Sequence, residues 1–412
     1  MKKLFTRVKY KAKEIFADIK AVNRLKKTAA KPKNEIRKIV FMVHYIPSWI
    51  RHELIYKELC QSDKAEAFIL CVPSDITETD PEKNDIYNYF TEHGYDAINA
   101  INEDGSLFDL KSLNPDFVFQ SRPYNARMPE PYKSEVLSSY TRICNISYGP
   151  CLTKNGLNTV LNKDYMKDVS LYFTEIHFAK WFFENRNKMG VKAGVQSARV
   201  TGAANLEVMY NVREKAEDNF PSLKNRPRYI WAPRWSVDPV LGGSNFFRYK
   251  DFLLNYFGEN KQVSLLMRPH PLMFSNFVEK GVMTREQETE FRKRVAEAEN
   301  IELDEMKEYA DNFWTSDVLI TDISAIIIDY FITGKPIIYC KSDIKIDMID
   351  QMDEMLHGCY IVDSEEELKS CMQMLERGED PLKEERQRVT DKYFASSLNG
   401  CGKRIADILI NE

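Results

Sequence analysis

The chain has 412 residues, enough for two or three domains with sizeable cores, and its 43% hydrophobic and 29% charged residues are ordinary for a globular protein. A net charge of −4 excludes the overall basic character of nucleic-acid binding, and no apolar stretch reaches the roughly 18 residues of a membrane span. The eight cysteines never form a CxxC pair and no signal peptide is recognisable, so we expect a cytoplasmic protein without disulfides or a structural metal.

The first predicted element is a basic arm, residues 1–35. Residues 1–40 carry fourteen lysines and arginines against three acids, an excess of +11 that leaves −15 for the remainder. Apolar residues recur in the arm at helical spacing: Leu4, Phe5, Val8, Ala12, Ile15, Phe16, Ile19 and Val22. Such a helix suits an anionic membrane surface, so we expect residues 1–33 to bind the inner face of the cell membrane peripherally. A solvated, partly disordered leader and a helix packed on the protein body are the alternatives.

Apolar strands alternate with helices over residues 36–205, which predicts a first Rossmann-like domain. The predicted strands are 38–45, 67–73, 116–120, 142–147, 170–175 and 198–202. The predicted helices include 50–61, 81–93 and 176–189.

A polar stretch, residues 206–227, is predicted as a linker, and the alternation then restarts in a second Rossmann-like domain, residues 228–395. Its predicted strands are 228–233, 263–271, 317–322 and 336–340. Its predicted helices are 246–257, 272–279, 284–298, 325–333, 364–377 and 382–392, and a last helix lies within 396–412. Two α/β halves with a ligand cleft between them are the simplest architecture, and ligands of such sheets bind at the carboxyl ends of strands.

One strand of the second domain runs directly into the polar residues of "LLMRPHP". Arg268 offers a planar, permanently charged fork suited to phosphate. His270 can donate a hydrogen bond or a proton near neutral pH. The alternative is an ordinary surface turn.

A second strand end lies within "DVLITDISAIIIDYFITGKPIIYC", residues 317–340. Ser324 is placed to cap the helix that follows, with Asp322 bracing the turn and Gly334 ending the helix. The same helix start could instead bind phosphate through free N–H groups and its dipole. Asp329 lies further along, facing the cleft or pairing with a basic residue.

Two more strand ends, "ISYGPCLTKNG" and "YIWAPRW", carry Lys154 and Arg234, although ordinary turns would explain both. The motifs GxxxxGK[ST], GxGxxG, GxSxG and HExxH are absent, so kinase, dinucleotide-binding and hydrolase functions lack support.

These segments in this order resemble the CDP-glycerol glycerophosphotransferase family, which primes and polymerises teichoic acids. The specific matches are "RPHP" (268–271) and "SDVLITDISAIIIDYFITGKPIIY" (316–339). "YIWAPRW" and "VTGAANLEVMY" (200–210) match more loosely, and the resemblance covers roughly residues 140–410.

The resemblance implies an α/β, GT-B-like fold: two Rossmann-type domains with parallel sheets and a cleft between them. It implies that an acceptor hydroxyl attacks the β-phosphorus of a CDP-activated polyol and CMP leaves, with no cofactor beyond this donor. Arg268 and His270 would contact the diphosphate, with His270 in a catalytic role. The other residues that the resemblance implies in substrate binding are Thr321, Asp322, Ser324, Ala325, Asp329, Arg234, Gly149 and Lys154.

One departure concerns the segment that reads HGTPLK in the family and "YGPCLTK" here. Tyr148 stands where the family has a histidine, the implied general base, while Gly149 is retained and Lys154 lies near the family's lysine. Because tyrosine titrates near ~10, it is a poor base at neutral pH. Either Tyr148 positions the acceptor and His44 or His52 acts as base, or a loose phosphoryl transfer needs little base assistance.

We therefore expect transfer of glycerol phosphate, or another polyol phosphate, from a CDP-linked donor to a lipid-linked or glycan acceptor during teichoic acid, capsule or other cell-surface polymer synthesis. A GT-B glycosyltransferase using a nucleotide-sugar and a non-catalytic nucleotide-binding relative are the alternatives.

Overall fold

A computed structural model of the chain describes residues 2–73, 85–126, 128–147, 152–238, 243–306, 308–344 and 346–412, with side chains from residue 11 onward. The chain forms two compact units. The N-terminal unit comprises Met1–Gly149, Asn155–Glu207 and Ser396–Glu412, and the C-terminal unit comprises Pro150–Lys154 and Val208–Ala395. The last helix of the chain therefore belongs to the first unit.

The N-terminal unit contains a seven-stranded parallel sheet in the order β3-β2-β1-β4-β5-β6-β7. Its strands are β1 Arg37–Val43, β2 Ala65–Cys71, β3 Ala97–Asn99, β4 Phe117–Gln120, β5 Arg142–Ile146, β6 Val169–Thr174 and β7 Ser197–Val200. The central strands are apolar and buried because helices cover both faces. The strand order reverses between β1 and β4, the position where such sheets bind ligands.

The helices from the start of the chain to the unit boundary are α1 Lys2–Ala29, α2 Glu53–Cys60, α3 Ile86–Glu92, α4 Ser134–Leu137, α5 Lys154–Val160, α6 Lys163–Met166, α7 His177–Arg186, α8 Lys188–Lys192 and α9 Ala204–Asn211. Short 3-10 helices cover Ile46–Arg51, Leu110–Leu113 and Glu130–Tyr132. Between β1 and α2 the chain thus passes through a 3-10 helix at the carboxyl edge of the sheet.

Helix α1 packs on the N-terminal unit through its second half. Leu25 is buried, and the Arg24 guanidinium forms an ion pair with the fully buried Asp168 at 2.6 Å. Further toward the start of the helix, Ile15, Phe16 and Ile19 are exposed. The second half of the arm is therefore a packed helix, whereas residues 15–19 present an apolar stripe to solvent.

The C-terminal unit contains a six-stranded parallel sheet in the order β10-β9-β8-β11-β12-β13. Its strands are β8 Arg228–Ala232, β9 Ser264–Met267, β10 Ile301–Leu303, β11 Val318–Thr321, β12 Ile337–Cys340 and β13 Tyr360–Val362. The order reverses between β8 and β11, so this sheet repeats the topology of the first.

The remaining helices are α10 Phe246–Glu259, α11 Met273–Glu279, α12 Arg285–Glu297, α13 Ala310–Trp314, α14 Ile326–Phe331, α15 Asp350–Leu356, α16 Glu365–Glu376, α17 Lys383–Phe394 and α18 Cys401–Asn411, with a 3-10 helix over Pro221–Leu223. Helix α12 begins at a capping box in which Thr284 and Gln287 satisfy each other's backbone N–H groups. Helix α18 returns to the N-terminal unit and packs closely on α2, because a Cβ on Gly402 would lie 2.7 Å from Leu54 Cβ.

The predicted fold class, two Rossmann-like domains with parallel sheets, is confirmed. All ten predicted strands are present, but the three-residue strands β3, β10 and β13 were missed because their runs are too short to show a pattern. Part of the predicted linker forms the end of α9. Within the described residues, no helix combines the length and the apolar character needed to cross a membrane.

Candidate functional site

Three neighbouring strand ends of the C-terminal sheet carry the polar residues singled out in the sequence. Strands β9, β8 and β11 lie side by side in that order, and β8 and β11 flank the point where the strand order reverses. His270 follows β9, Arg234 follows β8 and Ser324 follows β11. The structure thus brings together residues that are up to 90 positions apart, at the edge where open α/β sheets bind ligands.

The buried Asp322 carboxylate holds this edge together. It accepts the backbone N–H of Arg234 on Oδ1 at 2.7 Å and that of Asn245 on Oδ2 at 2.9 Å. Burial raises the pKa of Asp322 to about 7, although the two backbone hydrogen bonds and the charge of Arg234 act in the opposite direction. The Thr321 hydroxyl donates to Ala232 O at 2.7 Å. Both side chains are bonded to the protein's own backbone, so in this structure they position the loops.

The predicted capping role of Ser324 is wrong. Helix α14 begins at Ile326 with Ala325 as its N-cap and without a side-chain capping bond. The Ser324 hydroxyl makes no hydrogen bond with any described residue, and Ala325 beside it is exposed. The hydroxyl is therefore available to a ligand. Gly334 does end this helix region, with a left-handed φ of 68°.

His270 is held as a hydrogen-bond donor. Its Nδ1 accepts the backbone N–H of Leu272 at 3.1 Å, so the neutral ring carries its proton on Nε2. Partial burial and the charges of Arg234 and Arg268 lower its pKa to about 4. The ring stacks on Trp235, with 5.7 Å between the centroids, which holds the imidazole in place.

Arg268 has a different environment from the one expected. Its guanidinium donates to the buried Asp304 at 2.6 Å and to Met306 O at 3.0 Å, and it lies over the Tyr309 ring. These bonds tie the segment after β10 to the end of β9. Its predicted contact with a diphosphate stays a prediction, since two of its N–H groups already have protein acceptors.

Arg234 and Asp329 are also engaged within the unit. Arg234 Nη1 donates to Ile323 O at 2.6 Å, and burial lowers its pKa while leaving it charged at neutral pH. Asp329 is buried on α14 and accepts the Tyr309 hydroxyl at 2.9 Å. Arg234 therefore contributes positive charge beside Ser324. Asp329 instead holds the Tyr309 hydroxyl, and the Arg268 guanidinium lies over the ring of that tyrosine.

Lys154 lies in a short antiparallel pairing, in which Thr153 bridges Met348. Its Nζ is 3.1 Å from a carboxylate oxygen of Asp347 and 3.9 Å from one of Asp350, and these partners raise its pKa. Its charge is thus balanced by the loop after β12. The predicted site residues Tyr148 and Gly149 lie outside the described residues.

His44 lies at the corresponding edge of the N-terminal sheet, directly after β1. Its Nδ1 is 2.9 Å from the Ser121 hydroxyl, which follows β4, and its backbone N–H donates to the same oxygen. Burial, followed by the charges of Arg122 and His52, lowers the pKa of His44 to about 4. His44 is therefore neutral near pH 7.

Two contributors to the site were not anticipated. Asn245 donates from Nδ2 to Cys340 O and Lys341 O, which ties β12 to the start of α10. Gly243, two residues earlier, has a φ of 95°, and a Cβ there would lie 2.6 Å from Ser342 Oγ. The glycine pair in "LGGSN" between a strand and a helix was the available signal.

The arrangement can bind an anion. Ser324 Oγ and His270 Nε2 are hydrogen-bonding groups without a partner among the described residues, and two guanidiniums lie near them. Fixed donors beside positive charge are what phosphate oxygens require. The described part of the chain contains no group of three side chains able to hold a metal ion.

Comparison with protein families gives one match: residues 211–411 fit the model described as "CDP-Glycerol:Poly(glycerophosphate) glycerophosphotransferase". The match contains β8 to β13 and every candidate residue of the C-terminal unit except Lys154. No curated protein matches the chain.

Solved structures with a similar fold include the wall teichoic acid polymerase TagF soaked with CDPG, at 13% identity and a TM-score of 0.63, covering 100% of this chain and 98% of that one. The S. aureus MnaA-UDP co-structure has 14% identity and a TM-score of 0.59, with 91% and 98% covered. UDP-GlcNAc 2-epimerase from Neisseria meningitidis bound to UDP-GlcNAc has 13% identity and a TM-score of 0.57, with 91% and 100% covered. At these identities the likeness concerns the fold alone.

Proposed function

With residues 211–411 assigned to the CDP-glycerol glycerophosphotransferase family, we propose that this chain transfers glycerol phosphate, or a related polyol phosphate, from a CDP-linked donor to a lipid-linked or glycan acceptor. The product would be a teichoic acid, capsule or other cell-surface polymer. The family match supports the class of reaction, a transferase of cell-wall polymer synthesis, and the polyol and the acceptor are part of the proposal.

The observation that carries the proposal is that Ser324 and His270 lie at the same edge of the sheet, after β11 and β9, the two strands that flank β8. The Ser324 hydroxyl and His270 Nε2 have no hydrogen-bond partner among the described residues, and the Leu272 N–H on Nδ1 fixes His270 in the tautomer that donates from Nε2. We assign them to the diphosphate of the donor, where their hydrogen bonds strengthen as charge builds on the phosphate oxygens. Arg234 supplies the positive field.

In the proposed reaction an acceptor hydroxyl attacks the β-phosphorus, the bond from that phosphorus to the bridging oxygen breaks, and CMP leaves. The hydroxyl proton passes to a base. His44 is the candidate because it is neutral near pH 7, and Tyr148 would position the acceptor. In-line phosphoryl transfer depends mainly on positioning and charge, so a weak base suffices. The donor carries its own leaving group, and we propose no cofactor.

We also propose that the protein acts in the cytoplasm, at the inner face of the cell membrane. Ile15, Phe16 and Ile19 form an exposed apolar stripe on α1, with the exposed Lys11, Lys13 and Lys20 around it. This composition suits the interface of an anionic bilayer. Such placement would keep a lipid-linked acceptor close to the enzyme.

A donor screen tests the proposal. CDP-glycerol, CDP-ribitol and UDP-sugars are compared by thermal shift and by release of CMP or UDP with acceptor present. We expect stabilisation by the CDP-linked compounds and acceptor-dependent release of CMP. Release of UDP from a UDP-sugar would contradict the proposal in favour of a glycosyltransferase, and tight CDP binding without turnover would indicate a non-catalytic relative.

A further inference from the structure

Arg51 is a buried cation without a carboxylate partner. It closes the 3-10 helix Ile46–Arg51, only 8% of its surface is exposed, and it forms no ion pair with any described residue. Its one side-chain hydrogen bond to a described residue runs from Nη1 to Ser147 O at 2.8 Å. A buried charge is costly unless it is compensated, so an arginine in this state calls for an anion from outside the chain.

The groups around Arg51 do not supply that anion. His52 follows it directly and is buried, with Nδ1 on Ser48 O at 3.1 Å and with no partner for Nε2 among the described residues. Burial is the main cause that lowers the pKa of His52 to about 4, and Arg51 acts in the same direction. Beyond burial, the charges of Arg122 and His52 lower the pKa of His44. The cluster Arg51, His52, His44 and Arg122 therefore combines two positive charges with two neutral imidazoles.

The cluster lies where the N-terminal sheet would receive a ligand. His44 follows β1, Arg122 is two residues past β4, and Ser147, which accepts the Arg51 hydrogen bond, follows β5. Strands β1, β4 and β5 are neighbours, and the order reverses between β1 and β4. The carboxyl edge at such a reversal is the usual ligand position of an open parallel sheet.

We propose that Arg51, with His44 and Arg122, forms a second anion site that binds a phosphate ester of the acceptor. Arginine suits this ligand because its planar fork donates two parallel hydrogen bonds to phosphate oxygens. The assignment to the acceptor rests on the proposed function, whereas the anion site itself rests on the geometry of the N-terminal unit. His44 would then stand beside the bound acceptor.

The test uses the full chain with sn-glycerol 3-phosphate as the probe and saturating CDP present, so that the C-terminal unit is occupied. Binding is measured by isothermal titration calorimetry for the wild type, Arg51→Met and Arg51→Lys. We expect Arg51→Met to weaken binding about tenfold or more, because a charge-assisted hydrogen bond and a full charge are lost. Arg51→Lys should retain part of the affinity.

Arg37→Met is the matched control. Arg37 begins β1 at the opposite edge of the same sheet and also donates to backbone carbonyls, those of Asn34 and Ile410. Its substitution should leave probe binding unchanged, and circular dichroism establishes that each variant is folded. Glycerol, which lacks the phosphate, should not bind.

Three results would overturn the anion site: no binding of the phosphate ester by the wild type, equal binding by Arg51→Met, or equal binding of glycerol. Failure of the proposed function is distinguishable, because it would abolish CMP release from CDP-glycerol and leave Arg51-dependent binding of the ester intact. If the wild type releases CMP from CDP-glycerol but does not bind the phosphate ester, only the proposal of a second anion site is refuted.

Discussion

The Asp322 carboxylate accepts the backbone N–H of Arg234 over 2.7 Å, and this bond ties the end of β11 to the loop after β8. Asp322→Ala would leave that N–H and the one of Asn245 without an acceptor. We expect the free energy of unfolding to fall by about 3 kcal/mol. Urea denaturation measures this, with Asp343→Ala as the control, since Asp343 is largely exposed and its ion pair with Arg248 spans 3.4 Å. Equal losses in the two variants would refute the bracing role.

Ser324→Ala separates binding from stability. The hydroxyl has no hydrogen bond with any described residue, so its removal should change the free energy of unfolding by less than about 0.5 kcal/mol. Turnover of CDP-glycerol should nevertheless fall more than about tenfold, because a donor to the diphosphate is lost. Ser275→Ala is the control and should keep full activity, because the Ser275 hydroxyl donates to Leu272 O and is not assigned to the ligand. An unchanged rate in Ser324→Ala would show that the site is misassigned.

His270 should act as a donor and not as a base. His270→Ala should reduce turnover more than about tenfold. His270→Gln places an amide N–H near the position of Nε2, so it should recover a measurable part of the rate although it cannot take up a proton at neutral pH. Steady-state kinetics with CDP-glycerol compare the variants. If Gln were as inactive as Ala, hydrogen-bond donation alone would not explain the role of His270.

His52 should make the N-terminal unit sensitive to acid. Burial lowers its pKa to about 4, from near 6.5 in an unfolded chain. Because the pKa of His52 is lower in the folded chain than in the unfolded chain, its contribution to stability is fully present above the unfolded-state pKa. This contribution is lost as the pH falls through the folded-state pKa. Unfolding free energy should therefore drop between about pH 6.5 and 4, by up to about 3 kcal/mol for this residue. His52→Phe should drop less over that window in denaturant titrations, and parallel curves would contradict the assignment.

Helix α1 should carry membrane binding through its exposed stripe. Ile15→Glu combined with Phe16→Glu should abolish flotation with vesicles rich in anionic lipid, and high salt should weaken binding by the wild type. Ile361→Glu is the control, because Ile361 is exposed to a similar degree on β13 of the other unit. If the double variant floats as well as the control, the stripe is not the membrane contact.

Much of the site was recognisable in the sequence because its residues directly follow apolar strands. A buried strand that ends in Arg-Pro-His, or in Thr-Asp-Ile-Ser, marks a point where polar side chains leave the core. His270 and Ser324 were found in this way, and the structure leaves both available to a ligand. The short edge strands escaped notice because three residues cannot establish a period.

The partners of these residues could not be read from the chain. Whether Ser324 caps its helix depends on where α14 begins, and in the structure the helix begins at Ile326 with Ala325 as its N-cap. Arg268 was expected to face a ligand, but Asp304, 36 residues away, accepts its guanidinium. Likewise, nothing near Arg51 in the sequence shows that it is buried without a carboxylate.

The sequence by itself determined the class of fold and the strand ends that carry polar groups, since periodicity and composition are local properties of the chain. The tertiary structure alone decided that β9, β8 and β11 are neighbours, because strand order is set by how the crossover helices pack on the sheet. That strand order brings His270, Arg234 and Ser324 to one edge of the sheet. It also decides that Arg268 bonds to Asp304, whereas the Ser324 hydroxyl and His270 Nε2 are left for a ligand.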